Sequence, residues 1–239
     1  MTDRAPTDLD MLERLARGRR ATRHFGADPI PAGLLERLID AARWAPSGYN
    51  LQPTHFVVAM DADVRKRLCP ACMAQAPILE APAVVVLTGD GRVADRHFED
   101  VLAMDRQAGA MTTEYEALLR RVVPLAFARG PAGLGWLWKA TLLPMVRLFR
   151  PIPRLPAVHR NFWLTKQVML SAMNFMLLAE AAGLSTLPME GFDERRVKRV
   201  LGIPRWHVVP VVIAVGYASA RMPPKTRVPL DRVLHREGW

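Results

Sequence analysis

Three arginines, Arg19, Arg20 and Arg23, lie close together, and a turn rich in hydrogen-bonding groups follows them at residues 45–53. Guanidinium groups hold phosphate through charge-assisted hydrogen bonds, while hydroxyl and amide groups can bind the polar edge of a ring. The two segments together therefore predict a site for an anionic ligand with a flat, polar head. The positions of the turn that could contribute are Pro46, Ser47, Gly48, Asn50 and Gln52.

Two further motifs lie near the C-terminus. Pro188-Met189-Glu190-Gly191 precedes a predicted helix, and Lys225-Thr226-Arg227 follows the last predicted strand. With residues 19–25 and 45–53, they resemble the flavin-binding signature of the nitroreductase family over residues 19–230. The resemblance implies FMN as cofactor, NAD(P)H as electron donor, and a homodimer that holds its flavins at the subunit interface. Pro188 and Met189 are among the cofactor contacts that it implies.

The resemblance assigns the cationic residues to particular parts of FMN. Arg19 and Arg20 belong at the phosphate and ribityl end. Lys225 and Arg227 join them there from the C-terminal arm. Arg23 belongs beside N1 and O2 of the ring, where a fixed cation favours the anionic reduced flavin.

The residues expected at the flavin ring come from both subunits. The turn at residues 46–52 would reach the flavin from the partner subunit. Glu190 and Gly191 would run past the ring, with the backbone N–H of Gly191 directed at N5, and glycine permits such a close approach. Gln75 would donate a hydrogen bond at the pyrimidine edge.

Two departures from the family pattern bear on the site. Ala21 stands where the family usually has serine, so one hydrogen bond to the phosphate is missing, and Thr22 replaces it only if the backbone turns differently. Residues 105–160, which cover the substrate in relatives, have a different sequence here. The resemblance therefore identifies the cofactor but not the acceptor.

The implied reaction needs no acid or nucleophile from the protein, because the flavin performs the transfer. Hydride would pass from NAD(P)H to flavin N5 and then, in a ping-pong cycle, to a nitroaromatic, a quinone or a similar flat acceptor. Two alternatives stay open. One is a flavin-consuming or substrate-dehydrogenating enzyme of the same fold. The other is a flavin-binding module that docks on a membrane or a partner protein and turns over little.

The histidine and cysteine residues form no recognisable catalytic or metal motif in the sequence. His24, His55 and His207 are interpreted as surface or strand-end residues. Cys69 and Cys72 have the spacing of a redox pair or half a zinc site, but a structural zinc site needs four ligands and no second pair exists. They follow a predicted helix at 61–68, and ordinary reduced thiols are expected.

Hydrophobic periodicity predicts one α+β domain spanning residues 1–239, with helices over a sheet. The resemblance to the nitroreductase family implies that this sheet is mainly antiparallel. Amphipathic helices are predicted at 8–17 and 32–44. Strands are predicted at 54–60, 81–88 and 208–217. Residues 162–182 are apolar nearly all round and predict a helix buried on every side, as expected of the central helix of a dimer. The N-terminus lacks an apolar signal core, which favours a cytoplasmic location.

The formal net charge of +10 is concentrated at residues 117–160, which hold seven arginines, one lysine and no acid. No nucleic-acid-binding motif accompanies these charges, so a nucleic-acid partner is not expected. Tryptophan and aliphatic residues among cations suit a peripheral segment on an anionic membrane surface. A lid over the flavin pocket is the alternative, and the two interpretations are compatible.

Overall fold

The computed structural model describes residues 6–128, 135–151, 155–220, 222 and 224–239. Its strands form one antiparallel sheet in the order β1-β2-β4-β3. The strands are β1 (Thr54–Ala59), β2 (Ala83–Asp90), β3 (Ser185–Met189) and β4 (His207–Gly216). The helices of the described ranges are α1 (Asp8–Gly18), α2 (Leu34–Ala42), α3 (Ala62–Leu68), α4 (Pro77–Glu80), α5 (Val93–Gln107), α6 (Thr113–Phe127), α7 (Gly135–Arg147), α8 (Arg160–Ala181) and α9 (Glu194–Leu201).

The two central strands carry the core, because helices cover both faces of the sheet. Val84 and Val86 of β2 pack into a cluster that includes residues of α3 and α9. Val85 and Leu87 point to the opposite face and pack into a cluster with α2 and α8. Every residue of β2 is buried, which explains why its sequence is a continuous apolar run rather than an alternating one. The predicted α+β fold and its antiparallel sheet are confirmed.

The three predicted strands are present, with ends shifted by one or two residues. Strand β3 was not predicted. Its sequence is short and contains Pro188, and proline has no N–H to donate to a neighbouring strand. The structure places β3 at the edge of the sheet, where proline is tolerated.

Helix α8 is less buried than its sequence predicts. Seven of its residues, including Leu164 and Phe175, are buried against the rest of the chain. Phe162, Leu170 and Met173 remain 48%, 44% and 41% exposed. Within the single chain the layers that cover one side of α8 leave another open, so burial on every side stays a prediction for the dimer.

The segment between α1 and α2 runs alongside the free edge of β3. The backbone N–H of Thr22 donates to the Thr186 carbonyl at 3.0 Å, and Ala21 pairs with Thr186 in a parallel bridge. Farther along, the N–H of Gly26 donates to the Tyr217 carbonyl at 2.9 Å. These bonds fix residues 19–26 against the sheet.

Most of the described part of the basic stretch is helical. Lys139 of α7 is buried, and its ammonium donates to the carbonyls of Leu125 and Ala128 at 2.7 Å each. Arg120 of α6 forms ion pairs with Glu99 and Glu116. These two cations tie α5, α6 and α7 together.

Parts of the basic stretch, residues 129–134 and 152–154, lie outside the described residues, and Arg129 and Arg154 are among them. Of the helices that the structure describes, none has both the length and the apolar content needed to cross a bilayer.

Candidate cofactor site

Two cavities meet at Arg23 and His24 and form one groove along the β3 edge. The first has a volume of about 510 Å³. The second has a volume of about 540 Å³. The first is lined by Arg19, Arg20, Ala21, Arg23, His24, Ala220, Met222, Lys225 and Arg227. The second is lined by Arg23, His24, Gln75, Ala76, Pro77, Leu187, Pro188, Met189, Glu190 and Gly191. The groove therefore joins the predicted phosphate end to the predicted ring end.

The first cavity is strongly cationic. Five of its lining residues are arginine or lysine, and no acid lines it among the described residues. The Nη1 atom of Arg19 is buried and has no hydrogen-bond partner in the described part of the chain. A buried, unsatisfied guanidinium nitrogen is unfavourable unless an acceptor reaches it. The donor set therefore fits an anionic group such as the phosphate of FMN.

Lys225 has a structural role in this cavity. Its ammonium donates to the carbonyls of Ala16, Arg17 and Arg19 at 2.9, 3.2 and 3.0 Å. An ammonium has three hydrogens, so these contacts use all of them. Burial, followed by the charges of Arg227 and other nearby arginines, lowers the pKa of Lys225. Lys225 thus caps the C-terminal end of α1 and gives the cavity positive charge rather than a free donor.

The second cavity is built around the C-terminal end of β3. The Gln75 side chain donates to the Gly191 carbonyl at 3.0 Å, so it fixes the loop that follows the strand. The Glu80 carboxylate accepts from the backbone N–H of Phe25 at 3.2 Å and holds the chain just after Arg23. The backbone N–H of Gly191 has no backbone acceptor within the described residues. This arrangement suits a planar ring lying along residues 188–191.

The departure at Ala21 is not compensated by its neighbour. Thr22 is buried and is not among the residues that line the first cavity, whereas Ala21 is. The backbone pairs with β3 at this point, which directs the Thr22 side chain away from the groove.

The turn at residues 46–52 is held in an uncommon backbone conformation. Tyr49, Asn50 and Gln52 have φ angles of 58°, 52° and 51°, in the left-handed region that non-glycine residues seldom adopt. The hydroxyl of Ser47 accepts from the Gln52 N–H at 2.9 Å. The Gly48 N–H donates to the side chain of Gln167 on α8 at 2.8 Å. Strain held by such contacts is typical of ligand-binding segments.

This turn does not line the groove of its own chain. Pro46, Ser47 and Gln52 line a separate cavity of about 100 Å³ with Gln167 and Ser171 of α8. The turn precedes β1, which forms one edge of the sheet, while the groove follows β3 at the other. Three strand spacings, about 14 Å, separate the two edges. The structure thus brings together ten of the predicted cofactor residues and leaves the turn apart from them.

The nitroreductase family model matches residues 16–217. The chain belongs to the nitroreductase family. It is 32% identical over 216 residues to a protein of Thermus thermophilus named NADH dehydrogenase. The alignment covers 90% of this chain and 91% of the relative. These matches confirm the predicted family and, with it, an FMN-dependent oxidoreductase that takes electrons from NAD(P)H.

Solved structures of the nitroreductase type superimpose on most of the chain. The ydfN protein of Bacillus subtilis aligns with a TM-score of 0.77 at 26% identity, covering 95% of this chain and 99% of that one. A protein of Exiguobacterium sibiricum, solved in complex with FMN, aligns with a TM-score of 0.72 at 22% identity. The alignment covers 99% of this chain and 100% of that one.

His24 of this nitroreductase-family chain is an exposed residue, as predicted, and it also lines both cavities, a role that the sequence analysis did not assign to it. Its position between Arg23 and Phe25 in the predicted binding motif is the signal that could have identified it.

Cys69 and Cys72 are not among the residues that line the groove. Cys69 and Cys72 are both free and buried in the core. Burial and the neighbouring Cys69 raise the pKa of the Cys72 thiol to about 11. The expectation of reduced, ordinary thiols stays a prediction.

Proposed function

We propose that this protein transfers hydride equivalents from NAD(P)H to a nitroaromatic, a quinone or a similar flat acceptor in a ping-pong cycle. The observation that carries the proposal is the continuous groove, which is cationic at one end and lined by Gln75 and the end of β3 at the other. FMN, when bound, supplies the two-electron chemistry, and the protein provides binding and electrostatics.

The roles of the groove residues follow from their positions. Arg19, Arg20 and Arg227 would hold the phosphate, with Lys225 adding charge from its capping position. Arg23 lines both cavities, so its guanidinium would lie where the phosphate end meets the ring. A cation there would stabilise negative charge that develops on the ring during reduction. Glu190 and the N–H of Gly191 would border the ring.

We also propose that two chains form each complete site, with the turn at 46–52 supplied by the partner subunit. The sheet separates this turn from the groove of its own chain. Helix α1 buries none of its residues, although Leu9 and Leu12 are apolar and exposed. Such unpartnered apolar surface, together with that on α8, supports an extensive interface. Leu230, Val233, Leu234 and Trp239 of the C-terminal arm are exposed as well.

Sedimentation at low micromolar concentration tests this assembly. A stable monomer that retains FMN would contradict the shared site. Two variants, each with its change in a different half of the proposed shared site, test it further. Ser47→Ala changes the turn by removing the hydroxyl that accepts from Gln52, and Arg19→Ala changes the groove. In a dimer assembled from the Ser47→Ala chain and a chain carrying Arg19→Ala, one of the two sites would have neither change and should retain FMN.

Residues 117–160 would form a lid over the acceptor, a membrane-binding segment, or both. Helix α7 and the turn after it expose Leu142, Met145, Leu148 and Phe149, a surface suited to a lipophilic quinone or an anionic membrane. Salt-sensitive co-sedimentation with anionic vesicles would support the membrane interpretation, and Phe149→Ser should then abolish it. Absence of binding at low salt would leave the lid interpretation.

Steady-state turnover tests the reaction itself. NADH or NADPH oxidation should depend on FMN and on menadione or a nitrofuran, with parallel double-reciprocal plots. Denaturation should release FMN rather than FAD. A protein that binds FMN but oxidises neither nicotinamide would favour the docking module, and one that degrades its flavin would favour the flavin-consuming alternative.

A further inference from the structure

Three histidines and one aspartate meet at one end of the sheet, away from the groove. His55 is on β1, Asp90 ends β2, His97 is on α5 and His207 begins β4. One candidate ligand atom from each of His55, Asp90 and His97 lies within 4.8 Å of the others. His207 Nε2 lies 3.8 Å from an oxygen of Asp90. We propose that this His-Asp cluster binds one divalent transition-metal ion of the zinc class.

The donor types support this choice of metal. Imidazole nitrogens with one carboxylate are characteristic zinc ligands in tetrahedral sites. Ligand atoms around tetrahedral zinc lie about 3.4 Å apart, so each side chain needs to move by roughly 1 Å. His55 and His97 are only partly buried, which leaves their rings room for that adjustment.

The hydrogen bonds around the cluster leave nitrogen lone pairs available. The Leu51 carbonyl can only accept, so the 3.3 Å contact places the hydrogen on His97 Nδ1 and the lone pair on Nε2. His207 Nδ1 contacts the Thr88 hydroxyl at 3.0 Å, an outer hydrogen bond of the kind that orients histidine ligands. The Nε2 of His55 is buried and has no hydrogen-bond partner among the described residues.

The charge of the cluster is compatible with a cation. Asp90 is fully buried; its oxygens accept from the Arg92 N–H at 2.8 Å and from Arg96 at 3.3 Å. The Arg96 side chain is 56% exposed, so it can turn into solvent when a metal takes its place. Burial lowers the pKa of both His55 and His207.

The cluster also supports the strained turn. The carbonyls of Leu51 and Pro53 accept from His97 and from the Asp90 N–H, the latter at 2.8 Å. A metal bound to His55, Asp90 and His97 would fasten the end of the turn to β2 and α5.

Metal content of tag-free, FMN-loaded protein tests the proposal. After equilibration with buffered Zn²⁺ and removal of free metal, elemental analysis should find one zinc per chain. His97→Asn should weaken zinc binding by more than about 100-fold. Loss of a residue that only hydrogen-bonds a metal ligand weakens binding by about 10- to 100-fold, so a larger effect indicates a direct ligand. Asparagine keeps a donor at the Nδ1 position for Leu51, so the fold is expected to survive.

Two controls locate the metal. His235→Asn, an exposed histidine near the C-terminus, should bind zinc like the parent. A Cys69→Ser, Cys72→Ser protein should also retain it. Loss of zinc from the cysteine variant, or equal binding by His97→Asn and parent, would overturn the proposal, as would a parent that binds no stoichiometric zinc.

A measurement on the parent alone guards against misfolding of the variants. Zn²⁺ should protect His97 from diethyl pyrocarbonate, as read by peptide mass spectrometry, while His235 stays reactive. Equal labelling of His97 with and without zinc would refute the assignment.

Discussion

Replacing Lys225 by methionine should reduce the stability of the fold in addition to weakening cofactor binding. Methionine keeps most of the aliphatic stem and removes the ammonium that bonds the carbonyls of Ala16, Arg17 and Arg19. A hydrogen bond to a charged group contributes about 1.5–3 kcal/mol when well shielded, and a cation at a helix C-terminus about 0.3–1 kcal/mol. Because the cap is close to solvent, we expect a loss of about 2 kcal/mol in total.

The assay is thermal and urea unfolding of flavin-free protein, because bound FMN would itself stabilise the fold. For a chain of this size, about 2 kcal/mol corresponds to a decrease in Tm of roughly 4–8 °C. The matched control is Arg227→Met. Arg227 is exposed, and its side chain donates to the adjacent Thr226 carbonyl, so flavin-free stability should change by less than about 0.5 kcal/mol.

FMN titration separates the two cations further. Arg227→Met should raise the Kd for FMN by about 10- to 100-fold, the equivalent of one charge-assisted bond. If Lys225→Met left the flavin-free Tm unchanged and raised the Kd by the same factor as Arg227→Met, Lys225 would be a direct phosphate ligand and the capping argument would be refuted.

Three further predictions follow from the described contacts. Arg19→Ala should lower FMN content without destabilising the flavin-free protein, because the Nη1 atom that it removes has no partner there; a large decrease in flavin-free Tm would contradict this. Gly191→Ala should fold normally, since its Cβ would meet Gln75 at 3.7 Å, whereas Gly91→Ala places a Cβ 2.4 Å from a backbone oxygen and should cost about 1–3 kcal/mol in urea unfolding. Cys72 should react with iodoacetamide at pH 8 only on unfolding, because burial raises its pKa to about 11 and the thiolate is the reactive form; rapid labelling of native protein would show that the thiol is accessible.

Much of the sheet could be predicted because its central strands are buried on both faces. A strand such as β2 must be apolar throughout, and that run is visible in the sequence. The edge strand β3 has no such constraint, and its Pro188 is a residue that usually argues against a strand. Which side of α8 is open in the single chain could not be predicted, because an apolar helix looks the same whether its partner is in the same chain or in another.

The groove residues could be predicted because they lie in short linear motifs, but their individual roles depend on three-dimensional contacts. Nothing in the sequence indicates that Lys225 meets the end of α1 more than 200 residues earlier. The His-Asp cluster was not visible for a similar reason. Its four members come from four separate elements, and their spacing along the chain follows no metal-binding pattern.

The pairing of Thr22 with Thr186 has a consequence for the behaviour of the protein in the cell. Strand β3 is at the edge of the sheet, and an uncovered edge strand can pair with a strand of another molecule. Residues 19–26 cover this edge, and the same segment provides the arginines of the groove. Bound FMN would therefore help to hold residues 19–26 against the edge of β3. Chains synthesised faster than flavin is supplied should aggregate through β3, so flavin supply during expression should set the yield of dispersed protein.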